Sequence, residues 1–218
     1  MKLPANHVDI PTEEDARMKL ERTATALSVV LAGLVLGGCA GPPVDVQIAR
    51  ELYDRPAMTI AVLPFEQSEP SSDHQETLWR DTAVRDAGAL VSDMFTTELM
   101  RAPRFKLVER SRIKTILDEQ DLSLSQLLAK RSAQEIGNLL GVDAVVLGTV
   151  AEFRNGNTAF GSSWTIYSYS MRMVDTKTGI VLISTQTSEQ TAGYDVAARC
   201  RENVRAVVDR ILEKIKSP

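Results

Sequence analysis

The pattern of apolar and polar positions changes rhythm several times along this chain, and each change marks an element. Ala24 to Leu36 is a continuous run of small and apolar residues. It is as long as a signal-peptide core and too short for a bilayer span, which takes roughly 20 apolar residues. After polar chain, Met58 to Phe65 is apolar and partly β-branched with a proline near its end, which predicts a buried first strand. Glu66 to Thr82 is rich in Ser, Glu, Asp and Gln and reads as a long loop carrying His74 and Trp79. Ala87, Leu90, Val91, Met94, Phe95, Leu99 and Ala102 then recur at helical spacing within 83–102, and Pro103 ends the run. Arg104 to Arg110 alternates as a short half-exposed strand, and Ser111 is placed to cap a helix over Arg112 to Gln120.

After a break at 121–125, Ser132 and Glu135 have capping-box spacing, and Gly141 stands where that helix would end in a left-handed residue. Three strand-like runs follow: Val142 to Phe153, Ser163 to Asp175 and Gly179 to Gln190. Turn chemistry at Asn155-Gly156-Asn157 and at Asp175 to Gly179 joins them into an antiparallel meander. Val196, Cys200, Val204, Val207, Val208, Ile211 and Ile215 mark a long amphipathic C-terminal helix. The order β-α-β-α-α-β-β-β-α predicts an α/β (α+β) fold: a mixed sheet with a C-terminal antiparallel meander, covered by helices.

The first apolar run is preceded by Lys19 and Arg22 and followed by Leu36-Gly37-Gly38-Cys39. This order resembles a bacterial lipoprotein signal. The resemblance implies a lipobox of Leu36, Gly37 and Gly38, with Cys39 acquiring a thioether-linked diacylglycerol and becoming the acylated N-terminus. Residues 1–17 carry two prolines and Glu13-Glu14-Asp15 where such a signal is basic, so Met18 is the expected start. The chain therefore divides into a signal region over 1–39, a tether over 40–57 and a domain over 58–218. At 3.3–3.6 Å per residue that tether would reach about 60 Å. Ala40 is not the Asp that commonly retains lipoproteins at the inner membrane, so the expected location is the periplasmic face of the outer membrane.

Composition narrows the function. A formal net charge of −4 and the lack of a basic run argue against nucleic-acid binding. Of the two cysteines, lipidation consumes Cys39, and Cys200 lies on the apolar stripe of the last helix as a buried thiol. The domain then has no internal disulfide. Catalytic candidates are sparse: His74 is the one histidine after Cys39, and there is no Cys-x-x-Cys, Walker loop or Gly-x-Ser-x-Gly. Glu135 is explained by capping, and Glu109 beside Arg110 reads as an ion pair at a strand end. No catalytic residue, cofactor or metal ligand is expected, which favours binding, assembly or secretion over enzymatic turnover.

Four short blocks occur in order: Ile60-Ala61-Val62-Leu63-Pro64-Phe65, Phe105 to Ser111, Leu139 to Gly148, and Met173 to Gly179. From about Met58 to Gln190 they resemble the family of the curli-secretion lipoprotein CsgG. The resemblance implies a periplasmic α/β domain on a lipidated outer-membrane protein, with an envelope protein partner of unknown identity and a homo-oligomer as a further implication. In pore-forming members two added hairpins build a transmembrane barrel. Here the connection from Arg154 to Ser162 is too short for one and Ser184 to Asp195 does not hold another, while Glu66 to Thr82 lacks the family's Tyr-x-x-x-Asn-Phe constriction. The expected role is a secretion or assembly accessory. An activator of peptidoglycan synthases of the LpoB type and an oligomeric pore stand as alternatives.

Overall fold

The computed structural model describes residues 44–68, 80–120, 132–157 and 161–216. In them an eight-stranded mixed sheet is covered on one face by two long helices and at one end of the other face by two shorter ones. The elements are β1 (Val46–Ile48), a single 3-10 turn (Arg50–Leu52), β2 (Met58–Val62), β3 (Glu66–Gln67), β4 (Arg80–Ala83), α1 (Ala87–Leu99), β5 (Phe105–Leu107), α2 (Arg110–Glu119), α3 (Ala133–Leu140), β6 (Ala144–Asn157), β7 (Ser163–Asp175), β8 (Val181–Ala192) and α4 (Val196–Lys216). The sheet runs β1-β8-β7-β6-β2-β5, and β3 and β4 pair with β6 beyond the end of β2. β2 lies parallel to β5 and β6, as expected of strands joined through helices, and β6-β7-β8 form the antiparallel meander.

The larger core lies between the sheet and α1 with α4. Ile60, Val62, Val146, Val150, Phe153, Tyr169, Met171 and Met173 point from the strands into Val91, Phe95, Leu99, Cys200, Val204, Val207 and Ile211. Phe95 sits at its centre, 5.6 Å from Phe65 and edge-on to Tyr169 at 5.5 Å. Two tyrosine hydroxyls enter this layer with partners: Tyr169 donates to Asn203 Oδ1 of α4 at 2.6 Å, and Tyr167 donates to Glu189 of β8. The smaller core on the opposite face joins Ala61, Leu63, Val145 and Val174 to Ile113 and Leu117 of α2 and Ile136 and Leu140 of α3.

The blocks that carried the family resemblance hold these layers together. Gly148 has no side chain because the Phe65 ring occupies that space: a Cβ there would lie 2.5 Å from the ring and from the Ser170 carbonyl. Gly137 lets Thr176 pack into α3, and Thr176 Oγ1 donates to the Val142 carbonyl at 2.7 Å. Asp143 Oδ2 accepts from the Thr59 amide at 2.8 Å, pinning the start of β6 to β2. Ser132 and Glu135 form the expected capping box, and Gly141 takes φ +65°.

Several expectations change. Part of the expected tether belongs to the fold: β1 pairs antiparallel with β8 from Val46↔Thr185 to Ile48↔Ile183, and Arg104 donates to the carbonyls of Leu52, Tyr53 and Arg55. The fold therefore begins before Met58, because β8 offered an edge that apolar Val46 and Ile48 could complete. The expected loop over 66–82 begins with β3 and ends in β4; His74 and Trp79 lie outside the described residues, as does the break at 121–125. Helix α2 starts at Arg110, so Ser111 is inside it and is not its cap. Arg110 reaches back to Asp93 at 2.7 Å and Ser92 Oγ at 2.9 Å on α1, and so does not pair with Glu109. Asn155-Gly156-Asn157 is strand and no turn, because β4 pairs with it; a Cβ at Gly156 would lie 2.0 Å from the Trp164 ring.

Candidate functional site: an open polar face of the sheet

The face of the sheet shared by α2 and α3 is covered only where Ala61, Leu63, Val145 and Val174 lie. Beyond them β6, β7 and β8 continue, and the strand registers align their side chains in cross-strand rows. Leu147, Arg172 and Ser184 form the row nearest the helices. Thr149, Ser170 and Gln186 come next, then Glu152, Ser168 and Ser188, then Arg154, Ile166 and Gln190. Gly156, Trp164 and Ala192 make the last row. Ser170, Arg172, Ser184, Gln186, Ser188 and Gln190 are all exposed, whereas their neighbours Tyr169, Met171, Met173, Ile183 and Thr185 are buried on the other face.

Where this face meets α3 it forms an open groove of about 570 Å³. Ile136, Leu147, Val174 and Val181 give it an apolar floor, and Glu66, Ser132, Thr149, Ser170, Arg172 and Ser184 give it a polar rim. Val181 and its chain neighbour Ile180 are exposed apolar side chains. The bulge between Val150 and Glu152 turns Ala151 outward and twists β6, so the face is curved. Glu152 and Arg154 pair at 3.1 Å, and Arg154 stacks over the Trp164 ring at 5.7 Å. Arg172 has no carboxylate partner among the described residues. A surface of hydroxyls, amides and the Arg172 guanidinium suits hydrogen bonding to polar chain.

The titratable groups with shifted equilibria are elsewhere and serve the fold. Burial, followed by the Glu189 charge, pushes the Cys200 thiol up to about 12, so it stays protonated and unreactive as the sequence suggested. Burial also raises Tyr167 and Tyr169 well above the usual phenol range. Asp175 ends β7 with a fully buried side chain. Burial alone would raise its pKa, but the hydroxyl and amide of Thr178 and the Arg55 guanidinium outweigh that and hold it below the ordinary carboxylate value. This explains the turn at Asp175 to Gly179, where Gly179 has φ +74°.

Of the residues singled out in the sequence, Leu36, Gly37, Gly38 and Cys39 lie outside the described residues. Glu135 does what its spacing predicted, accepting from the Ser132 amide at 2.7 Å. Among the described residues no group of three or more His, Cys, Asp and Glu is placed to hold a metal ion. The open face itself was not singled out. Its signal was the strict alternation Tyr167-Ser168-Tyr169-Ser170-Met171-Arg172-Met173, which implies one buried and one solvated face.

Comparison with known proteins agrees with this architecture. The lipoprotein GNA1162 of Neisseria meningitidis superposes with a TM-score of 0.51 at 20% identity, over 71% of this chain and 98% of that one, which shows a shared fold. Weaker likenesses include the PelC dodecamer of Paraburkholderia phytofirmans (TM-score 0.45, 14% identity, 77% of this chain and 96% of that one). Another is the LpoB C-terminal domain of Salmonella enterica (TM-score 0.38, 13% identity, 64% and 84%). No curated protein matches the sequence. The family described as curli production assembly/transport component CsgG matches residues 45–164, from β1 into β7. More than half the chain is covered by that match, and the protein belongs to the CsgG family.

Proposed function

We propose that this protein is a lipid-anchored, non-enzymatic accessory of assembly or secretion in the bacterial envelope, held at the periplasmic face of the outer membrane through an acylated Cys39. The observation that carries the reading is the open sheet face, whose exposed Ser170, Arg172, Ser184 and Gln186 offer hydrogen bonds with no histidine or carboxylate among these four to activate a hydroxyl. Membership of a family described by assembly and transport supports it. So does the lipobox order Leu36-Gly37-Gly38-Cys39. In this reading the face binds an envelope protein and the lipid keeps the domain beside it. The partner is a polypeptide, because main-chain amides and carbonyls match hydroxyl and amide side chains.

No helix among the described residues is long and apolar enough to cross a membrane. The inward positions of β6, β7 and β8 are spent beneath α1 and α4, which favours attachment by lipid over a barrel built from these strands. Mass spectrometry of the purified full-length protein tests the anchor: a diacylated and N-acylated Cys39 is expected, and an unmodified Cys39 contradicts it. Turnover of peptidoglycan or model esters by the protein would contradict the non-enzymatic reading, and large single-channel steps in a planar bilayer would restore the pore.

A further inference from the structure

Resting on the proposed role of the open face, we infer that the groove beside α3 binds the C-terminus of the partner polypeptide, with its terminal carboxylate on Arg172 and an apolar last side chain on Leu147, Val174 and Val181. The strand registers set out these parts. Arg172 stands in the middle of its row, with Leu147 of β6 and Ser184 of β8 about 5 Å to either side. Ser170 is the next residue of β7 on this face, in the row away from α3. In the row toward α3, Val174 lies between Val145 and Val181. Val145 and Val174 are buried beneath Ile136 and Leu140 of α3, whereas Val181 keeps 42% of its surface in solvent. A carboxylate receptor and an apolar shelf are therefore one row apart, close enough for a single terminal residue to meet both.

The charge of the groove selects the ligand. Arg172 is exposed and makes no hydrogen bond or ion pair with the described residues. Arg154, farther along the face, is by contrast paired with Glu152 at 3.1 Å. The nearby carboxylates leave the place beside Arg172 open. Glu135 is held by the Ser132 amide at 2.7 Å in the helix cap, and Glu66 lines the groove from β3, opposite Thr149 and so across β6 from the Arg172 strand. A guanidinium presents a planar fork that fits a carboxylate through two parallel hydrogen bonds. The Ser170 and Ser184 hydroxyls line the same groove as further donors. A chain end fits here where an internal acidic residue does not. Extended chain lying along β7 toward α3 meets Ser132, Ala133 and Ile136, which wall the groove on that side, so a segment that reaches Arg172 has no path onward.

The test uses the full-length protein and short random peptides held by their N-termini, synthesised once with free C-terminal carboxylates and once with C-terminal amides. The expected result is binding by free acids that end in Leu, Ile or Val. Amidating such a peptide, or extending it by Gly-Ser, should weaken binding by about tenfold or more, as should Arg172→Gln. Arg172→Lys keeps the charge and loses the fork, so its affinity should fall between those of the wild type and Arg172→Gln. Binding that is indifferent to amidation or to Arg172→Gln, or no binding from either set, overturns the inference. A photocrosslinker at Ser184 in the native envelope separates that failure from failure of the open-face reading. An adduct mapped to the partner's extreme C-terminal peptide supports the inference. An adduct mapped only to an internal segment overturns it while the open-face reading stands, and the lack of any adduct overturns both.

Discussion

The two ends of this sheet make different use of the same strands. At the end bearing the Asp175 turn, β6 and β7 are enclosed on both faces, by α1 and α4 on one side and by α2 and α3 on the other. At the end bearing Trp164, the same strands are covered on one face and open on the other. Among the described residues, several chemically distinctive groups are consumed at the enclosed end: Asp175 and Thr178 in a turn, Arg104 on three carbonyls, Glu135 in a cap. On the open face the exposed residues of β7 and β8 are Ser170, Arg172, Ser184, Gln186, Ser188 and Gln190, which offer hydroxyl, amide and guanidinium. The blocks that resemble the family therefore build the scaffold, and the open rows lie outside that packing.

The sharpest way to break the comparison is at the enclosed end. Asp175→Ala leaves Arg55 without its buried partner and should cost about 3 kcal/mol in urea unfolding, the low end for a buried pair because the Arg55 side chain keeps 26% of its surface in solvent. The sign of the pH dependence follows from the same group. Its folded pKa lies below the unfolded one, so its contribution is complete at neutral pH and is lost as pH falls below about 4. Asp175→Asn should flatten that acid limb of the stability curve. A smaller effect is expected from Gly148→Ala, which drives a methyl into Phe65 and the Ser170 carbonyl at a cost of about 1–3 kcal/mol. Ser132→Ala removes the α3 cap and should cost about 1 kcal/mol. The smallest is at the open end: Ser170→Ala with Gln186→Ala should change stability by no more than about 0.5 kcal/mol per site, while weakening partner binding.

The enclosed end was far more legible in the sequence than the open one. Met58 to Phe65, the Ser132–Glu135 box and the Asp175 to Gly179 turn each announce one element, because burial, capping and left-handed glycine are local demands with local signals. The order of the main elements followed from them. The sequence misled where tertiary pairing overrode local chemistry. Asn155-Gly156-Asn157 has turn composition, yet it is held extended by β4 and made glycine by a ring from the next strand. Val46 to Ile48 is too short to read as a strand alone and forms one because β8 presents an edge. Arg110 left its neighbour Glu109 for Asp93 across the fold. The open face requires knowing which side of an alternating strand lacks a helix, and only the placement of α2 and α3 decides that.

The central claim, that the open face is the working surface and the helical face is scaffold, is tested most directly by site-specific photocrosslinking in the native envelope. One protein carries the crosslinker at Gln186 on the open face and another at Glu213 on the outer side of α4. The account predicts a discrete protein adduct from position 186, lost when Ser170 and Arg172 are replaced by Ala, and none from position 213. A discrete adduct from 213 with none from 186 would contradict it.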